Sequence, residues 1–164
     1  AYGFGIRGQS ILDVGCGAGG GLITAKLLGA STILGVDTDA RSRSIPVTFG
    51  IQVLDSLPVG HHWDRIICSH LIEHVLRPVE FLRMLGGYLA PGGCLYVETP
   101  AWGPKAEVKL PHPFMYTPDS FRLLAKRAKL EIVGMTDGIQ CVAKKQSVIA
   151  WPIEPALVTK RKIE

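Results

Sequence analysis

A chain of 164 residues, 47% hydrophobic and 20% charged, has the length and composition of an ordinary globular domain with a real core. No apolar run reaches the roughly 18–20 residues of a bilayer span, so no membrane span is expected. A net charge of +4 is mild, and its clusters (Lys126, Arg127 and Lys129, then Lys160-Arg161-Lys162) are local, so no nucleic-acid partner is expected either.

Ser10–Val14 is a short apolar run ending in a glycine cluster, the pattern of a buried strand feeding a tight turn. Residues 22–28 read as a helix stopped by Gly29. Residues 32–37 are β-branched and apolar, a second strand. Between Asp37 and a third strand near residues 47–54 there is room for about one helical turn. Residues 65–69 form another buried strand. Pro78 opens a helix with Phe81, Leu82, Leu85 and Leu89 at helical spacing. Pro91-Gly92-Gly93 ends that element before a strand at residues 94–98. Thr117 caps, and Pro118 opens, a last helix whose stripe is Phe121, Leu124, Ala125 and Ala128. Residues 130–136 and 139–144 flank Asp137-Gly138, a hairpin signal.

Strands alternating with helices predict a doubly wound α/β fold. Its seven-stranded sheet is mostly parallel and closes with an antiparallel hairpin. Residues 1–146 are expected to form one domain. Residues 147–164, with Pro152 and Pro155, are expected to be an irregular extension docked through Trp151. The first seven residues lack the long apolar stretch of a secretory signal. The missing initial methionine fits a processed product or an excised fragment. Cys16, Cys68, Cys94 and Cys141 form no CxxC, and three of them lie in apolar strand-like runs. Neither a disulfide framework nor a zinc site is expected, and a reducing cytoplasm is the expected compartment.

The informative segment is Asp13-Val14-Gly15-Cys16-Gly17-Ala18-Gly19-Gly20-Gly21. Its glycines allow a sharp turn and let a ligand approach without meeting a Cβ. Asp37, 20 residues beyond Gly17, ends the second strand, where a carboxylate can accept from both hydroxyls of a ribose. These residues alone imply a nucleotide cofactor of some kind. Gly15, Gly17 and Gly20 even satisfy GxGxxG, the dinucleotide fingerprint.

The rest of the chain separates the cofactors. Residues 11–19 (ILDVGCGAG) resemble the first motif of class I S-adenosylmethionine-dependent methyltransferases. Trp63-Asp64-Arg65-Ile66-Ile67 resembles that family's fourth strand. Leu71-Ile72-Glu73-His74-Val75 with Arg77-Pro78 is similar to its "EHV…P" helix entry, and Leu89-Ala90-Pro91-Gly92-Gly93-Cys94-Leu95 to its "LxPGGxL" turn. His112 with Tyr116-Thr117-Pro118 resembles the later substrate-side loop. The motifs run in family order over roughly residues 10–145. The resemblance implies S-adenosylmethionine as cofactor, with S-adenosylhomocysteine as product. It places Gly15 and Gly17 on the methionine portion, Asp13 organising the turn, Asp37 on the ribose, Thr38 beside the adenine and Ser69 at the crevice. Asp55, or backbone groups of Val53 or Leu54, would reach the adenine amine. Only nine residues precede Ser10, so the lid that family members carry there is expected to be missing or supplied by self-association or a partner chain.

Methyl transfer needs an acceptor aligned with the methyl group and water excluded. A hydroxyl acceptor also benefits from a base, so His70, after the fourth strand, and His112, after the fifth, are the candidate catalytic residues. Alternatively, both shape the pocket, while His74 caps or packs the following helix. His70-Leu71-Ile72-Glu73-His74 also satisfies HxxEH, an inverted zinc-protease motif. A strand end followed by a helix entry does not put both histidines on one helix, so no metal is expected. Cys68-Ser69-His70 stands where base-methylating relatives carry an Asn-Pro-Pro-Tyr-like signature. A small-molecule acceptor is therefore expected, with O-methylation favoured over C-methylation. The competing readings are a catalytically weak cofactor-binding module or fragment, and a nicotinamide-dependent oxidoreductase.

Overall fold

The computed structural model describes residues 5–102 and 112–146. The expected extension at 147–164, with Trp151, lies outside the described residues. In chain order the elements are β1 (Ser10–Val14), α1 (Gly20–Leu27), β2 (Thr32–Val36), α2 (Ala40–Thr48), β3 (Gln52–Leu54) and β4 (Trp63–Ser69). A 3₁₀ turn (Ile72–His74), α3 (Pro78–Gly87), β5 (Leu89–Glu98), α4 (Pro118–Arg127), β6 (Leu130–Met135) and β7 (Gln140–Lys145) complete them. The seven strands form one sheet in the order β3-β2-β1-β4-β5-β7-β6. The first five pair in parallel, and β7 runs antiparallel to both its neighbours. This is the doubly wound sheet with a closing hairpin that the alternation of patterns predicts.

Strand periodicity sorts the residues onto two faces. Leu12, Ile66, Leu95 and Ala143 are opposite one another across β1, β4, β5 and β7, and all four are buried. Leu82 and Leu85 of α3 and Phe121, Leu124 and Ala125 of α4 complete the core with them. The adjoining row, Asp13, Ile67, Tyr96 and Val142, faces the other way. There α1 covers one end only, and a trough of about 680 Å³ runs beside it over β4, β5 and β7. Among the described residues, no helix is long and apolar enough to cross a membrane.

Two elements differ most from the sequence expectation. The helix after Asp37 is not one turn but nine residues, and β3 shrinks to Gln52–Leu54. Val47 and Thr48, expected in the strand, belong to the helix. Pro46 lies inside this helix, where a proline removes a hydrogen bond. Here Asp39 caps the start by accepting the Arg41 N–H at 3.0 Å. The Pro46 ring is buried against Gly19, where a Cβ would lie 2.5 Å from Pro46 Cγ. That contact keeps the last turn helical. The second difference is β5, which begins at Leu89 and takes in Pro91-Gly92-Gly93 through a register shift opposite Trp63 to Arg65. A Cβ on Gly93 would stand 2.8 Å from the Trp63 carbonyl oxygen, so the motif lets two backbones touch rather than ending the element.

Candidate cofactor crevice and acceptor site

The carboxyl ends of β1 and β2 meet at the glycine turn. Gly15, Gly17 and Gly19 all have positive φ (75°, 50° and 75°), a region that side chains oppose. The turn is tied to β2 by the N–H groups of Gly15 and Cys16, which donate to the Val36 carbonyl at 2.8 and 3.1 Å. Gly17 N–H then donates to Asp37 Oδ2 at 2.7 Å, and Asp39 N–H to Asp37 Oδ1 at 2.8 Å. Two backbone donors therefore fix the carboxylate, which keeps further lone pairs for a diol. A Cβ at Gly17 would meet nothing within 4 Å, so space lies open beside that carboxylate. A nucleoside cofactor fits this cradle.

Asp13 lies beneath the turn, 5% exposed. Burial, followed by the nearby Asp37 charge, pushes its carboxyl up to about 7. Thr38 is exposed, and its carbonyl accepts from the Arg43 guanidinium at 3.3 Å. Asp55 is also exposed just after β3, its oxygen taken by Ser56 Oγ at 3.0 Å. Neither belongs to the trough, whereas Asp13, Gly15 and Ser69 form its upper end. Ser69 Oγ donates to Glu98 Oε2 at 3.1 Å. Glu98 also accepts from Tyr96 Oη at 3.1 Å and from Gln140 Nε2 at 2.9 Å. The Gln140 bond, then those from Ser69 and Tyr96, hold Glu98 below its ordinary value against the effect of burial. No sequence signal marks this carboxylate: it ends a strand with no motif around it, and its partner Gln140 is 42 residues away.

The histidines separate into two places. His70 ends β4 at a positive φ of 52°, with its N–H on the Glu98 carbonyl at 2.8 Å. Its ring is 61% exposed, and Nδ1 stands 3.5 Å from Glu73 Oε1. His112 instead sits edge-on to His74, with ring centroids 4.7 Å apart. Glu73 is buried, and its Oε2 accepts from Thr99 Oγ1 at 3.0 Å. Tyr116 Oη reaches the Ile72 carbonyl at 3.5 Å; burial, then the Glu73 charge, push the phenol up to about 12. Glu73 was visible only as a motif letter, and Thr99 carried no signal at all.

The family model described as "Methyltransferase domain" matches residues 3–134. Ubiquinone biosynthesis O-methyltransferase of Xanthomonas campestris pv. campestris is 28% identical over 105 residues, 57% of this chain and 44% of that protein. Its Coxiella burnetii counterpart is 27% identical over 104 residues, with the same coverage. This chain thus spans less than half the length of the curated relatives it matches. Among solved structures, the Burkholderia thailandensis 1,6-didemethyltoxoflavin-N1-methyltransferase superposes with a TM-score of 0.73 at 15% identity, covering 86% of this chain and 72% of that one. An S-adenosylmethionine-dependent methyltransferase of Mesorhizobium loti gives 0.68 at 16% identity, covering 87% and 92%. At such identities the superpositions speak for the fold, and the family model carries the assignment. The chain belongs to the class I S-adenosylmethionine-dependent methyltransferase family.

Proposed function

We propose that this chain transfers a methyl group from S-adenosylmethionine to a small-molecule acceptor, with an oxygen as the favoured methyl-accepting atom. The observation that carries the reading is the Asp37 carboxylate, clamped to the glycine turn by the 2.7 Å bond from Gly17 beside open space. The similarity to O-methyltransferases of ubiquinone biosynthesis supports oxygen over carbon. The cofactor supplies an activated methyl on a sulfonium. Asp37 would hold the ribose hydroxyls, the glycine turn would admit the methionine portion, and Asp13 and Ser69 would line the space beneath.

His70 is the better-placed base. It stands at the carboxyl end of β4 with an exposed ring, and a carboxylate 3.5 Å from Nδ1 can orient that ring toward an acceptor hydroxyl. His112, pressed against His74, acts on the shape of the same region. A panel of phenols, quinone precursors and sugars, assayed for methylated product, tests the activity. With the accepted substrate, His70→Asn is expected to lower kcat about 100-fold while leaving S-adenosylhomocysteine affinity unchanged. Asparagine tolerates the positive φ, so loss of the base is separated from backbone strain. Near-normal turnover would remove His70 as the base. No product from the panel, with cofactor binding intact, would favour a catalytically weak binding module.

A further inference from the structure

One group of ligating side chains is not used by the cofactor crevice. Glu73 and His74 lie in the 3₁₀ turn after β4, and His112 lies in the segment before α4. One donor atom from each falls within 4.8 Å of the others. The Glu73 side chain is only 2% exposed, and Thr99 anchors one of its oxygens at 3.0 Å. Among the described residues, its only ion-pairing neighbour is the His70 ring, at 3.5 Å. A buried carboxylate without a strong cationic partner is costly. Here the two groups beside it are imidazoles.

We propose that Glu73, His74 and His112 bind a divalent transition-metal cation of the zinc or manganese class. Two imidazoles and one carboxylate suit such ions. Magnesium and calcium instead favour all-oxygen sets. Bond lengths of about 2.0–2.2 Å bring tetrahedral donors to about 3.3–3.6 Å from one another. The rings must therefore close slightly around Glu73, which Thr99 holds in place. His74 is exposed and His112 half-buried. Three protein ligands leave a coordination position open. The cluster sits beyond β4 and β5 at the carboxyl edge of the sheet, where α/β folds take their ligands, so that position is available to an acceptor oxygen. This use of the cation rests on the methyl-transfer reading, whereas the cation site rests on its own geometry.

The test is calorimetric titration of the untagged, chelator-treated full chain with Zn²⁺ and, separately, Mn²⁺. The expected result is one cation per chain for at least one of the two. His74→Ala and His112→Ala should each weaken it more than about tenfold, and the double variant His61→Ala/His62→Ala should leave it unchanged. Absence of uptake of both ions would overturn the site. So would binding that survives both His74→Ala and His112→Ala, or that disappears with the exposed pair at 61 and 62. S-adenosylhomocysteine is titrated into the same metal-free protein as a separate readout. Cofactor binding without cation binding would remove only the cation site; the reverse would remove only the methyl-transfer reading.

Discussion

Asp13 combines two demands in one side chain. It is buried under the glycine turn, yet its carboxyl faces the charge of Asp37, and burial followed by that charge raises it from 3.8 to about 7. Between those values the folded chain keeps a proton that the unfolded chain releases. Stability should therefore be greatest at the acid end of this window, fall as pH rises through it, and flatten above about 7. Asp13→Asn removes the titration. Thermal melts should show the variant gaining on the parent between pH 5 and pH 8, by an amount on the order of 1 kcal/mol or more. A stability difference independent of pH would show that Asp13 does not titrate in this range. At this scale the glycine turn and the strand end at Asp37 were legible because local spacing marks them. The Glu73–Thr99 bond joins residues 26 positions apart, and no local pattern encodes it.

Elements were legible where their signals agreed. In α4 the threonine cap, the following proline and the apolar stripe point the same way, and the helix begins at Pro118 with Thr117 accepting the Ser120 N–H. In α2 no apolar stripe marks the full helix, and its one buried residue, Pro46, packs against Gly19. Gly35 shows the same dependence on packing from inside a strand. A Cβ there would lie 2.6 Å from Leu22 Cδ1, 2.9 Å from Cys16 Sγ and 3.1 Å from Val53 Cγ2. The absence of a side chain is what lets α1 seat on β2. Gly35→Ala should cost about 1–3 kcal/mol by overpacking, read from a denaturant midpoint at unchanged slope. It should also weaken S-adenosylhomocysteine binding, because α1 carries the end of the glycine turn. A variant as stable as the parent would mean that α1 shifts freely on the sheet.

For the whole molecule, the two faces of the sheet are unequally furnished. α3 and α4 pack on one face of the sheet, whereas the row Ile67, Tyr96 and Val142 on the other lines the trough beside α1. The mostly parallel sheet with its closing hairpin followed from the alternation of patterns, but the strand order and the face that lacks a helix did not, because those depend on the lateral positions of the crossovers. The cofactor crevice opens at one end of this less-covered side, so a ligand there would bridge β1, β2 and the glycine turn. Binding only to the folded state adds about 2.7 kcal/mol when the ligand is present at 100 times its Kd. For a domain of this size that corresponds to a rise in Tm of roughly 5 °C or more. S-adenosylhomocysteine should produce this rise, NAD should not, and Asp37→Ala should abolish most of it. The variant also loses the Gly17 and Asp39 bonds, so its own Tm without ligand must be taken as the baseline. A full ligand-induced rise in Asp37→Ala would move the ribose site away from β2, and a rise with NAD alone would turn the crevice toward hydride-transfer chemistry.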